Sequence, residues 1–170
     1  DYAKKISENF PYTEEEIIEV SKDKEFLNKL IKNYWFVTED ILNDKIYYPL
    51  EGYLFPDTYN FKKNASIEEI LEKMIKTLGT KLEVYKKDIE LSKYSIHELI
   101  TLASIIELEG ASSSDRAGVA GVFYNRLKDN WTLGSDVTTY YAVGKGFERE
   151  LSLKDLQSCN SYNTSSQSKC

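Results

Sequence analysis

Histidine occurs once in this sequence of 170 residues, as His97, and cysteine twice, as Cys159 and Cys170. A lone histidine leaves little room for Ser-His-Asp chemistry and none for the usual multi-histidine metal sites, so no metal and no cofactor are expected. No run approaches the ~18 consecutive apolar residues that a membrane helix needs, and no signal-peptide pattern opens the chain. Basic residues are outnumbered, 22 against 28, for a net charge of -6. With no cationic excess to displace counterions, a nucleic-acid partner is not expected. The two cysteines bracket a short polar stretch near the end, which suits a disulfide between Cys159 and Cys170. Such a bond adds up to ~3 kcal/mol in the chain-entropy model and belongs outside the reducing cytosol.

What is abundant is tyrosine, 13 residues, beside 7 Phe and 2 Trp. Many of the aromatics fall in YYPLEGYLFPDTY, residues 47–59. Pro49, Gly52 and Pro56 punctuate that run, so it reads as loop and short strand. Tyr and Phe faces with carboxylates between them, here Glu51 and Asp57, are what a glycan groove offers. The same composition also packs a loop onto a core, and both readings stand.

Helix starts are marked by local capping chemistry. Thr13 precedes Glu14, Glu15 and Glu16, and Ser66-Ile67-Glu68-Glu69 and Ser95-Ile96-His97-Glu98 have the form of capping boxes. Ser112 to Asp115 is expected to cap a further helix carrying Val119, Val122, Phe123 and Leu127, and Ser152 to Gln157 a last short one. Asp1 to Tyr34 reads as two short helices. Leu133 to Tyr141, rich in β-branched and aromatic residues, reads as extended. The fold expected is therefore α+β: a mostly helical lobe with extended pieces near 47–59 and 133–142, and a small N-terminal segment, 1–46, ahead of a larger domain, 47–170.

The run ASIIELEG at 103–110 holds the sharpest anomaly. Leu99, Ile100, Leu102, Ala103, Ile105, Ile106 and Leu108 leave the helix almost no polar face, so burial on nearly all sides is expected. Glu107 and Glu109 nevertheless lie in it. A buried carboxylate must be paired or stay protonated, and a carboxyl kept neutral is what a general acid requires. One glutamate of each kind is expected, with Arg116 as the partner of the paired one; spacing alone leaves open which is which.

Four blocks in order, LEGYLFPDTY at 50–59, ASIIELEG at 103–110, RAGVAGVFYNRL at 116–127 and LGSDVTTYYAVG at 133–144, resemble the endolytic murein transglycosylases, the MltG or YceG-like family. The resemblance covers about two thirds of the chain. It implies cleavage of nascent peptidoglycan glycan strands between MurNAc and GlcNAc, leaving a 1,6-anhydroMurNAc end. It also implies Glu107 as the catalytic acid, which leaves Glu109 as the structural carboxylate paired with Arg116. Glu51, Tyr53, Asn125, Asp136 and Thr138 become candidate contacts to the strand or orienters of Glu107. The resemblance further implies a place on the outer face of the bacterial cytoplasmic membrane, through an anchor not in this chain, with cell-wall synthases as candidate partners. Residues 1–46 are then a partial LysM-like subdomain, and the catalytic domain is expected to be cut short at its C-terminus. Where the family usually reads Gln-Ser-Asp-Pro-Thr, this chain has Gly134-Ser135-Asp136-Val137-Thr138. A non-catalytic wall-binding or scaffold protein, a plain helical interaction module and a lysozyme-like hydrolase are the competing readings.

Overall fold

The computed structural model describes residues 2–168, in which nine α-helices are joined by loops and two short 3-10 turns. The helices are α1 (Tyr2–Ser7), α2 (Glu14–Lys22), α3 (Lys24–Asn33), α4 (Ile67–Leu82), α5 (Lys86–Glu90), α6 (Ile96–Glu109), α7 (Arg116–Lys128), α8 (Asp136–Val143) and α9 (Leu153–Leu156). Among the described residues there is no strand, so the expected α+β class is corrected to an all-helical one. The chain forms two compact units, Asp1–Ile100 and Thr101–Cys170. The boundary expected at residues 46 and 47 falls inside the first of them.

The capping boxes form where local chemistry puts them. The Thr13, Ser66 and Ser152 side chains each accept from the backbone three residues on, and the acidic residue there reaches back to the cap N–H. Ser95 does the same with Glu98 at the start of α6. Each box satisfies two of the orphan donors of a helix start, the hydroxyl cap being worth ~1 kcal/mol. The expected cap of α7 differs. Asp115 occupies the N-cap but makes no side-chain cap bond; its carboxylate accepts from Ser112 Oγ at 2.7 Å instead.

In the first unit, Ile17, Phe26, Leu27, Leu30, Phe36, Ile41, Leu50, Tyr53, Ile70, Leu71 and Ile75 close one apolar core. The 1–34 segment holds three helices rather than two: α1 precedes the pair read from the sequence, and Asp23 both ends α2 and caps α3 through Phe26 N–H. Lys29 and Tyr34 of the α3 end both bind Glu72 of α4, at 2.8 and 3.2 Å. Gly79 admits the ring of Phe36, whose Cε1 lies 2.5 Å from where a β-carbon would stand.

In the second unit the apolar core is small: Leu102, Ile105 and Phe123, with Ile106, Val119, Leu127 and Leu133 against them. The expected all-round burial of α6 is not found. Thr101, Ala103, Ser104, Glu107 and Leu108 are exposed, with Leu108 at 58%. Burial needs a neighbour on every side, and in this unit the described apolar neighbours of Leu102 and Ile105 come from α7 and Leu133. Gly118 and Gly121 of α7 are open as well, with nothing among the described residues within 4 Å of an added β-carbon.

The extended reading of 133–141 is also corrected, since α8 starts at Asp136. Three β-branched residues in a row cost a helix only a few tenths of a kcal/mol each. The hydroxyls of Thr138 and Thr139 recover more than that through buried hydrogen bonds available only in this helix, to Ser135 O and Asn163 Oδ1.

Two stability predictions follow from these contacts. Gly79→Ala gains up to about 1 kcal/mol of helix propensity, but the buried Phe36 ring cannot yield without disturbing the core, a cost of roughly 1–3 kcal/mol. A net loss of stability in urea denaturation is expected; a stabilised variant would show that Phe36 repacks freely. Asp155 is hydrogen-bonded first to Lys145 Nζ and then to Ser152 N and Oγ, which hold its carboxyl below the ordinary 3.8. A carboxyl with a depressed folded-state value stabilises above the unfolded value and loses that contribution as pH falls. The stability gap between the parent and Asp155→Asn should therefore be widest near neutrality and narrow as pH drops below about 3.8. A gap independent of pH would contradict it.

Candidate functional site

The two glutamates of α6 are two residues apart, so at about 100° per residue they leave the helix on nearly opposite sides. Neither is buried. The Glu107 side chain is 70% exposed, and its Oε1 lies 3.7 Å from Arg116 Nη2, itself 47% exposed. An open, long ion pair of this kind contributes at most ~1 kcal/mol. The helix ends at Gly110, where a β-carbon would come within 2.8 Å of Arg116 Cγ. Only a glycine lets the start of α7 come back so closely, and that return places the guanidinium beside Glu107.

Glu109 has a different partner. Its Oε1 accepts from the hydroxyl of buried Ser135 at 2.5 Å. The expected Glu109–Arg116 pair is thus replaced: among the described residues Arg116 pairs with Glu107, and Glu109 with a serine. Helix phase decides this, because the side of α6 that faces Arg116 is the side of 107.

Ser135 belongs to a hydroxyl network whose direction can be read from its bonds. Thr138 O–H has one proton, and it goes to Ser135 O at 2.7 Å. Thr138 Oγ1 therefore accepts both from the Thr164 hydroxyl at 2.7 Å and from Thr164 N at 3.2 Å. Thr164 Oγ1 accepts in turn from Ser135 N at 3.2 Å, and Thr164 O from Gly134 N at 2.8 Å. Thr139 donates to Asn163 Oδ1, and Asn163 Nδ2 spans Leu156 O and Ser158 O. Residues 163 and 164 are thereby stitched to the start of α8, and α8 to the end of α6.

Thr138 is one of the candidate strand contacts, and its place is inside this network, buried. Asp136 is exposed in the first turn of α8, where the helix dipole favours an acid, and Asn125 is exposed on α7. Glu51 and Tyr53 lie in the first unit. Glu51 is exposed on the rim of a groove, whereas Tyr53 is fully buried, its hydroxyl 2.9 Å from Nδ1 of His97 and the two rings stacked. Burial pushes the Tyr53 hydroxyl well above the ordinary tyrosine value. From there Tyr53 holds the 50–59 loop to the start of α6. Ser135, Asn163 and Thr164 were missed as partners in the sequence; a threonine pair inside a tyrosine-rich run was their only local sign. Cys159 is disulfide-bonded, and its expected partner Cys170 lies outside the described residues. Among the described residues no cluster of His, Cys, Asp and Glu could hold a metal.

Residues 1–168 match the family model described as the YceG-like family. The chain belongs to that family. A Bacillus subtilis protein named endolytic murein transglycosylase is 42% identical over 161 residues, which are 94% of this chain and 44% of that one. A Streptococcus pneumoniae R6 protein of the same name is 36% identical over 135 residues, 78% of this chain and 24% of that one. The crystal structure of a yceG-like protein from Listeria monocytogenes superposes with a TM-score of 0.89 at 37% identity, covering 98% of this chain and 55% of that one. The chain spans less than half the length of the curated relatives it matches. In this YceG-like chain α6 and α8 are thus joined through Ser135, and α8 to residue 164 through the Thr138–Thr164 pair.

The network yields an ordered prediction. Thr138→Val strands three groups, Ser135 O and the Thr164 hydroxyl and N–H, with Thr138 itself buried, and should cost about 2 kcal/mol. Ser135→Ala leaves Glu109 where water can replace the lost bond, and should cost about 1 kcal/mol. Urea denaturation of both variants checks the order; a costlier serine variant would show that the Glu109 bond, not the threonine pair, carries the joint.

Proposed function

We propose that this chain carries the reacting part of an endolytic lytic transglycosylase of peptidoglycan, with Glu107 as its acid. The observation that carries this reading is the exposed Glu107 carboxylate at the end of α6, open to a polymer, in a chain 42% identical to the B. subtilis endolytic murein transglycosylase. Oε1 faces Arg116, and Oε2 is in no ion pair among the described residues.

The reaction asks one carboxyl to act twice. Glu107, protonated, gives its proton to the glycosidic oxygen between MurNAc and GlcNAc as the C1–O bond breaks. The carboxylate then takes the proton of the MurNAc C6 hydroxyl while O6 bonds to C1, closing the 1,6-anhydro ring. Glu107 ends protonated, as it began, and no water is consumed. A second carboxylate to activate water, which an inverting glycosidase needs, has no part in this scheme. Arg116 serves as a positioning residue at Oε1, and Glu109 through Ser135 anchors the turn from which Glu107 projects. Asn125 and Asp136 stand as strand contacts. Nascent strands at the outer face of the cytoplasmic membrane are the setting this reading implies, with cell-wall synthases as neighbours; no helix of the described residues is long and apolar enough to cross a membrane.

Mass spectrometry of glycan strands digested by the parent chain, Glu107→Gln and Glu109→Gln tests the reading. Anhydro-ended fragments from the parent, a loss of at least 1000-fold in Glu107→Gln and a loss of less than tenfold in Glu109→Gln are expected. Reducing ends would mean hydrolysis by water. Intact strands recovered bound to a folded parent would favour the wall-binding reading instead.

A further inference from the structure

The first unit contains a groove of about 1080 Å³ that no step of the proposed reaction uses. It is lined by α1, the start of α2, residues 48–63 and two side chains of α4, Ile70 and Met74. Its volume lies just above the ~300–1000 Å³ typical of small-molecule sites, which suits a length of oligomer better than a compact metabolite. The accessible lining is largely apolar, with Phe10, Ile18, Leu54, Phe61 and Met74 among its residues. The charged lining has both signs: Lys5, Lys62 and Lys63 against Glu14 and Asp57, all exposed. None of these five is in an ion pair among the described residues, although both signs line one concavity.

We infer that this groove takes the peptide stem of a peptidoglycan strand, an inference that rests on the substrate class proposed above. The glycan backbone is a run of N-acetylated sugars without charge, because the MurNAc carboxyl is consumed in its amide bond to the stem. The charges of a strand therefore sit in its stems, which combine carboxylates, an ammonium group on the diamino acid and alanine methyls. A groove with an apolar lining and unpaired charges of both signs complements that pattern; carboxylates alone would also serve sugar hydroxyls, but the lysines beside them find no anionic partner on an uncharged glycan backbone. Lys62 and Lys63 receive the stem carboxylates, Asp57 and Glu14 the ammonium group, and the apolar lining the methyl groups.

The test is a calorimetric titration of the full chain at low salt with a sugar-free stem pentapeptide, using a peptide-free N-acetylglucosamine oligomer as the comparison probe. Saturable peptide binding is expected. It should weaken at least tenfold in Lys62→Ala/Lys63→Ala and in Asp57→Asn, fall with added salt, and be unchanged in Glu107→Gln. These side chains are exposed, so the variants should fold, as circular dichroism will show. Absence of saturable binding, binding indifferent to all the charge substitutions, or sugar binding equally sensitive to them would each overturn the inference. The readout needs no catalysis. Peptide binding without strand cleavage would defeat the transglycosylase reading alone, and cleavage without peptide binding would defeat this one alone.

Discussion

The second unit depends on one threonine hydroxyl. Among the described residues Leu102, Ile105 and Phe123 alone make up its buried apolar cluster, too little by itself to hold four helical segments and a long C-terminal stretch. Buried polar groups supply what the core lacks: Ser135, Thr138, Thr139, Asn163 and Ser165 are all buried, and no buried side-chain donor or acceptor among the described residues is left without a partner. Thr138 is the hub, because its single oxygen gives to Ser135 and receives twice from Thr164. A fully satisfied network of this kind specifies one arrangement where a small apolar core would tolerate several. The position of every element around Glu109 and Ser135 follows from it.

How much of this was legible in the sequence depended on the range of the interaction. Capping boxes at Thr13, Ser66, Ser95 and Ser152 are closed by residues three apart, so four letters suffice to read them. The helix at 136–143 was misread because its local preference is weak and opposed, and the bonds that decide it come from Asn163 and Thr164, more than twenty residues on. The burial of α6 was misread for a related reason. Apolar composition states what a helix can bury, whereas exposed Leu108 and Ala103 show that the neighbours decide what it does bury. Family blocks pointed to α6 while leaving the partners of each carboxylate to be found, and the pairing of Arg116 with Glu107 turned on helix phase and on the tight return after Gly110.

Tyr53 illustrates the same limit from the other side. An aromatic loop between prolines suited both a glycan surface and a packed core, and the fold divides the residues between the two. Tyr53 and Leu50 are fully buried, while Glu51, Pro56 and Asp57 face outward along the groove. Alternation along a loop has no fixed period, so no pattern in the sequence could have assigned the sides.

The opposed placement of Glu107 and Glu109 bears on the proposed chemistry. An acid that must first reach a glycosidic oxygen and then a C6 hydroxyl needs a carboxylate free to address two atoms, yet a backbone that does not move between the two transfers. Exposure and a weak, long contact to Arg116 give Glu107 the first property. The second falls to Glu109, whose 2.5 Å bond to a buried serine ties the same turn of α6 to the threonine network. The two roles could not be combined in one glutamate, because a carboxylate engaged by Ser135 has an oxygen committed to the fold. Two carboxylates in one apolar helix are thus complementary, one holding the turn and the other left available from it.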